Sequence, residues 1–226
     1  MIRFIIFISS YLILMTIWTL GNLAIHKITR TYKMYLIGRI YYFIFSMIIG
    51  IYFSLIFNFD IFNLFKFYIS IFFFKITILL ILANISFSDF GGIIFLLLYN
   101  FNYAKLYKNL SQIIWIKNIE LFGSKYYNKI AFLLSPLSEE IIFRGVLLPF
   151  LIYKFNLNII ESLLITSLLF TYQQILYLKN KYQLLIIGIS SFIISFINGI
   201  GVILTNSIIP AIIAHEIFVI LYIRKK

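Results

Sequence analysis

The chain has 226 residues, of which 63% are hydrophobic and 12% are charged, and its mean hydropathy is +1.04. Soluble domains contain roughly 45–50% apolar and about 25% charged residues, so this composition excludes a soluble globular protein and predicts a polytopic membrane protein. Lys and Arg number 19 against 7 acidic residues. These cations lie mainly between the apolar runs, where the positive-inside bias and anionic headgroups account for them; we expect membrane lipids as partners and no nucleic acid. The absence of cysteine excludes disulfides and a catalytic thiol.

Apolar runs of membrane-spanning length follow one another along the chain, since roughly 20 helical residues cross the hydrocarbon core. The runs lie at residues 2–24, 35–57, 64–83, 130–153, 159–178, 183–204 and 208–223. We therefore predict an all-α, polytopic transmembrane helix bundle of about seven or eight spans. The first run is too long for the apolar region of a signal peptide and is interpreted as a retained anchor.

The segment FGGIIFLLLYNFNY, residues 90–103, decides between seven and eight spans. Clusters of basic residues lie at 26–39, 105–129, 179–181 and 224–226. If residues 90–103 do not cross, all these clusters lie on one side of the membrane; if they cross, the first cluster lies on the other side. We favour seven spans and keep eight as the alternative, because short segments do cross thinned bilayers. The stretch that follows is interpreted as interfacial, with Trp115 at headgroup depth.

Charged side chains interrupt the apolar run at 130–153, where SPLSEEIIFRG contains Glu139, Glu140 and Arg144. A charge at the centre of a membrane helix costs about 2.5–3.5 kcal/mol on insertion scales, so these groups require partners. Glu140 and Arg144 are four residues apart on one helix face and can form an ion pair. Glu139 is rotated by about 100° and is left without a partner by this pairing. A purely structural ion pair leaves Glu139 unexplained, which favours a functional site.

Two later runs supply further polar groups. SLLFTYQQ contains Phe170 and, four residues later, Gln174, and SIIPAIIAHEIF contains His215. For His215 alone, an interhelical hydrogen bond is the alternative to a role in a site. Its occurrence together with the glutamate pair favours the site. We expect these helices to converge, so that the side chains of Glu139, Gln174 and His215 share one polar cavity.

The set of motifs resembles that of the CAAX protease and bacteriocin-processing (CPBP, or Abi) family of intramembrane proteases, which carry EExxxR, FxxxH and HxxxN or HxxxB. EEIIFR, residues 139–144, matches the first motif in full. FTYQQ keeps Phe170 but has Gln174 at the position of the histidine. HEIFV keeps His215 but has Val219 where asparagine is common.

The resemblance covers residues 130–223 and implies a division of the chain. Residues 1–129 are expected to form N-terminal transmembrane helices and an interfacial segment, and residues 130–226 a four-helix CPBP-like core. By the same resemblance, the protein is expected to be an integral-membrane endopeptidase of the bacterial cytoplasmic membrane. Its substrate would be a membrane-associated peptide or protein, cut at or in the membrane.

Peptide hydrolysis needs a base to deprotonate water, an acid for the leaving amine and a group that stabilises the oxyanion. Glu139, as the carboxylate outside the ion pair, is the candidate base. His215 is the candidate for positioning the water or donating to the oxyanion. Glu140 and Arg144 are expected to hold the helix and to tune the field around Glu139.

The departures from the motifs keep other functions open. Gln174 can orient a water molecule but cannot shuttle a proton, and Val219 can form no side-chain hydrogen bond. The alternative is therefore a catalytically impaired member that acts as a membrane scaffold or a bacteriocin-immunity-type protein. A transporter is disfavoured because the short chain shows no inverted repeat.

The resemblance also bears on ligands. It assigns Phe170 to substrate binding. Zinc is the metal that the resemblance would allow, but we assign no metal ligand, because the amide of Gln174 is a poor ligand for a transition metal. No cofactor is expected with certainty.

Overall fold

The described part of the chain consists of helices joined by short non-helical segments. The computed structural model describes residues 2–29, 31–57, 64–113, 116–117 and 126–224, and none of these residues lies in a strand. The main helices are α1 (Ile2–Ile28), α2 (Tyr32–Phe57), α3 (Ile71–Ser88), α4 (Phe90–Leu98), α5 (Tyr103–Ser111), α6 (Tyr126–Glu140), α7 (Ile159–Ile175), α8 (Lys181–Thr205) and α9 (Ile209–Arg224). The predicted all-α membrane bundle is confirmed. Trp115, expected at headgroup depth, lies outside the described residues.

Within the described residues, four helical segments are long and apolar enough to cross a membrane. These segments are Phe4–Ile25, Lys33–Ile56, Ile71–Leu98 and Lys181–Thr205, and the shorter apolar helices are Ile159–Ile175 and Ile209–Leu221. The third segment combines α3 and α4, which are separated by the single residue Asp89. Most of the segment 90–103 is therefore a continuation of the third apolar helix.

The start of the third span differs from the sequence prediction. The run was expected to begin at residue 64, but α3 begins at Ile71. Ser70 is extended and its hydroxyl accepts a hydrogen bond from the backbone N–H of Phe73 at 3.1 Å. This N-cap satisfies one of the free donors of the first helical turn and fixes where the helix begins. The predicted boundary was wrong because the residues before Ser70 are as apolar as the helix itself.

Helix α6 changes its winding immediately after the two glutamates. It contains Pro136 and continues directly into π-helical turns at Ile141–Leu147 and Phe150–Lys154. All residues of the first π-helical segment are buried. Such wider turns occur frequently at functional sites, since they rotate the side chains that follow relative to an α-helix.

The N-terminal helices pack directly on the helices that carry the motifs. In α1, the ring of Phe7 stacks on Phe150 with centroids 5.3 Å apart, and the Tyr11 hydroxyl donates to the backbone oxygen of Ile142 at 3.3 Å. Residues of α1 and α2 and residues of the motif helices belong to one buried hydrophobic cluster. The region before residue 130 therefore contributes to the core around the motif helices.

Close packing of α4 on α8 depends on a glycine. The backbone N–H of Gly91 donates to Ser190 Oγ at 3.0 Å, and a Cβ atom at Gly91 would lie 1.9 Å from the backbone oxygen of Ile186. We expect Gly91→Ala to lower the free energy of unfolding by about 1–3 kcal/mol, because a backbone atom cannot move aside as a flexible side chain can. Gly92→Ala is the matched control, since its nearest neighbour, Leu106, would be 4.0 Å away. Equal thermal stability of the two purified variants would contradict the packing argument.

Candidate active site

A cavity of about 560 Å³ lies where the motif helices meet α2, α4 and α8. Glu139, Gln174 and His215 all line it, so the expected convergence of the motif helices is confirmed. The polar lining consists mainly of Asn22, Tyr35, Arg39, Tyr42, Ser135, Glu139, Gln174, Tyr177 and His215. The apolar lining includes Ile93, Leu96, Leu106, Leu110, Ile186, Ile187, Ile194, Phe218 and Val219.

The predicted ion pair forms behind the residues that line this cavity. Glu140 and Arg144 have no exposed surface, and Glu140 Oε1 lies 3.3 Å from Arg144 Nη1. The same oxygen accepts a hydrogen bond from Asn198 Nδ2 at 3.2 Å. The guanidinium carbon of Arg144 lies 4.8 Å from the centroid of the Phe170 ring. Within the described ranges its nitrogens have no hydrogen-bond partner, so the arginine depends on Glu140 and on this ring for compensation of its charge.

Glu140 also orients His215. The distance from His215 Nδ1 to Glu140 Oε1 is 2.8 Å. A carboxylate paired with an arginine only accepts hydrogen bonds, so Nδ1 must carry the proton of the neutral imidazole. The other ring nitrogen, Nε2, then presents its lone pair toward Glu139, whose Oε2 lies 3.9 Å away. Glu140 thus has a second contact that its spacing from Arg144 does not predict.

Glu139 is anchored by a residue of α2. Its Oε1 accepts a hydrogen bond from the Tyr42 hydroxyl at 3.2 Å. Glu139 stays outside the ion pair, and helix spacing within one span could not reveal Tyr42 as its partner, because another helix brings that group in. No motif marks Tyr42, which lies in an apolar run already rich in aromatic residues. The sequence signal that could have indicated Tyr42 is its hydroxyl group, which lies in an apolar span and needs a polar partner.

A comparison with known families matches the C-terminal part of the chain, which contains most of these groups. The family described as type II CAAX prenyl endopeptidase Rce1-like matches residues 127–221, which include the glutamate pair, Arg144, Gln174 and His215. Residues 127–221 are therefore similar to CAAX proteases. This similarity and the four membrane-length helices among the described residues together indicate an integral membrane protein. No curated protein and no solved structure gives a significant match.

The two positions that depart from the CAAX protease motifs both line the cavity. Gln174 Nε2 donates to the side-chain oxygen of its neighbour Gln173 at 3.2 Å. Val219 lies one helical turn after His215 and is half-buried. Val219 therefore presents only apolar surface where a hydrogen-bonding asparagine is common in the family.

Phe170 has contacts that explain its retention in the motif. It is 3% exposed and packs edge-on against Phe143, with ring centroids 5.1 Å apart. Its ring covers the guanidinium of Arg144 and lies 6.4 Å from the ring of His215, centroid to centroid. Phe170 thus packs against the side chains of Arg144 and His215. It also lines the cavity, and its role in substrate binding stays a prediction.

The donor set does not fit a catalytic zinc ion. Catalytic zinc takes three protein ligands and a water molecule. His215 Nδ1 is bonded to Glu140, and Glu140 Oε1 is shared by Arg144 and Asn198. The donors that remain toward the cavity are His215 Nε2 and Glu139 Oε2, and among the described residues no group of three or more His, Cys, Asp or Glu side chains is arranged to hold a metal.

Proposed function

We propose that the protein is an integral-membrane endopeptidase in which Glu139 activates water for attack on a peptide bond. The observation that carries this proposal is the gap of 3.9 Å between Glu139 Oε2 and His215 Nε2 in the wall of the cavity. The other polar atom of each side chain is held, Glu139 Oε1 by Tyr42 and His215 Nδ1 by Glu140. Both atoms that face each other are hydrogen-bond acceptors, which suits a water molecule that donates one hydrogen to each.

The reaction follows from this arrangement of acceptors. Glu139 Oε2 takes one proton from the water while the water oxygen bonds to the carbonyl carbon of the substrate. His215 Nε2 accepts the second hydrogen as a hydrogen bond and thereby positions the water. The carbon–nitrogen bond then breaks, and the proton held by Glu139 passes to the leaving nitrogen. The net change is the addition of one water across the peptide bond.

The shape of the cavity supports a membrane-associated peptide or protein as substrate. Most of the polar groups lie on α2, α6, α7 and α9, whereas α4 and α8 contribute mainly apolar side chains such as Ile93 and Ile186. A peptide with apolar residues near the cleaved bond would bury them against the apolar side chains of α4 and α8. We place the activity in the bacterial cytoplasmic membrane, as the resemblance implies.

The test is a comparison of Glu139→Gln with Glu161→Gln. Glutamine keeps the size of the side chain but cannot take a proton, so we expect kcat to fall by about 10²- to 10⁴-fold. Glu161 is an exposed glutamate in the first turn of α7 and does not line the cavity, so Glu161→Gln should cleave at the parental rate. Cleavage of a pool of membrane-anchored peptides in proteoliposomes is followed by mass spectrometry. Parental activity of Glu139→Gln would contradict the proposal, and a parent that cleaves no peptide would favour the scaffold alternative.

A further inference from the structure

A directed series of hydrogen bonds connects Gln174 with Glu139. Gln174 Nε2 donates to Gln173 Oε1 at 3.2 Å, Gln173 Nε2 donates to the Tyr42 hydroxyl, and that hydroxyl donates to Glu139 Oε1 at 3.2 Å. We propose that Tyr42 is a positioning residue of the active centre, and that Gln173 acts on Glu139 through it. Gln174 supports Gln173 and also forms a hydrogen bond with Glu139 directly. This inference rests on the proposed peptidase function.

The direction of each bond follows from the chemistry of the groups. Because the Gln173 oxygen accepts from Gln174, its amide nitrogen faces Tyr42 and can only donate. The phenol oxygen must therefore accept that bond, and its single hydrogen is committed to Glu139 Oε1. This leaves Glu139 Oε2, on the side of His215, as the oxygen that takes the proton from water.

The phenol is held rigidly in this position. Tyr42 is 1% exposed, and its ring stacks on Trp18 with centroids 4.0 Å apart and an interplanar angle of 10°. Trp18 Nε1 donates to the backbone oxygen of Tyr42 at 3.0 Å, and Gln173 is fully buried. A group fixed by packing and by hydrogen bonds costs little reorganisation when the reaction begins.

Two consequences follow for this chain. The active centre includes a residue of α2, which lies outside the residues matched by the family. Gln174, at the position of the family histidine, also has no need to exchange a proton, which an amide cannot do at neutral pH. The series of bonds orients the carboxylate of Glu139 from Gln173 through Tyr42, beside the direct hydrogen bond between Gln174 and Glu139.

The experiment compares Tyr42→Phe with Tyr11→Phe on a peptide that the parent cleaves. Tyr42→Phe removes only the hydroxyl, so we expect kcat to fall by about 10- to 100-fold with KM changed by less than about two-fold. Tyr11 is another buried tyrosine whose hydroxyl donates to a backbone oxygen of the π-helical segment, and it does not line the cavity. Tyr11→Phe should keep the parental kcat.

A second variant distinguishes positioning from a general structural effect. Gln173 acts through the Tyr42 hydroxyl, so adding Gln173→Met to Tyr42→Phe should lower kcat no further, whereas independent effects would multiply. Gln173→Met alone should lower kcat with unchanged KM and provides the test if Tyr42→Phe does not fold.

Parental kcat in the folded single variants, or multiplication of their effects, would overturn the inference. If Glu139→Gln is inactive while Tyr42→Phe is fully active, this inference fails and the proposed function stands; if Glu139→Gln is active, the proposed function fails.

Discussion

Arg144→Ala is expected to lower the free energy of unfolding by about 3–5 kcal/mol, because it leaves the carboxylate of Glu140 buried without its counter-charge. Both side chains have no exposed surface, and their charged atoms lie 3.3 Å apart. Asn198 and His215 would still donate to Glu140, but neither group in its neutral form supplies a full positive charge. The measurement is reversible unfolding of the purified protein in detergent micelles.

The matched control removes both charges together. The double variant Glu140→Gln/Arg144→Met should recover part of the stability lost in Arg144→Ala, because a buried ion pair can often be replaced by neutral groups at little net cost. If Arg144→Ala were as stable as the parent but inactive, Arg144 would act in the reaction itself, and the structural role of the ion pair would be wrong.

Glu140→Gln is expected to lower kcat by about 10²- to 10⁴-fold, although Glu140 lies behind the reacting atoms. The carboxylate fixes the proton of His215 on Nδ1, at a distance of 2.8 Å. A glutamine amide can donate to Nδ1 and so favours the opposite tautomer, in which Nε2 carries the proton and can no longer accept a hydrogen bond from water. The measurement is kcat of the folded fraction on the peptide that the parent cleaves.

Asn198→Leu separates this tautomer effect from loss of stability. Asn198 donates to the same oxygen of Glu140 at 3.2 Å, so its removal weakens the buried cluster and leaves the His215–Glu140 bond in place. We expect a smaller change in kcat for Asn198→Leu than for Glu140→Gln. An unchanged kcat in Glu140→Gln would show that the tautomer of His215 does not matter for the reaction.

The sequence predicted the parts of the site that depend on spacing within single helices. Glu140 and Arg144 pair because a separation of four residues brings them together, and this remains true at the start of the π-helical turns. Because a charged side chain in the membrane interior is energetically unfavourable unless it has partners, polar groups of different spans were expected to meet. Glu139, Gln174 and His215 do line one cavity. Their roles in catalysis stay predictions.

The parts that depend on contacts between distant segments could not be predicted. Tyr42 and Glu139 are 97 positions apart in the chain, and nothing in local periodicity specifies which side chain of α2 faces α6. The tautomer of His215 is likewise set by Glu140, which lies 75 positions earlier. The start of α3 at Ile71 was missed for a local reason. The residues before and after Ser70 are equally apolar, and the helix begins where the Ser70 side chain caps it.

The most direct measurement of the central claim is a single turnover in ¹⁸O-labelled water. If Glu139 acts as a base on water held beside His215, the new carboxyl terminus of the cleaved peptide should carry one ¹⁸O atom, the Glu139 side chain should carry none, and Glu139→Gln should give no product on the same timescale. Label in the Glu139 carboxylate would show that Glu139 attacks the substrate itself. Labelled product from Glu139→Gln at the parental rate would contradict the account.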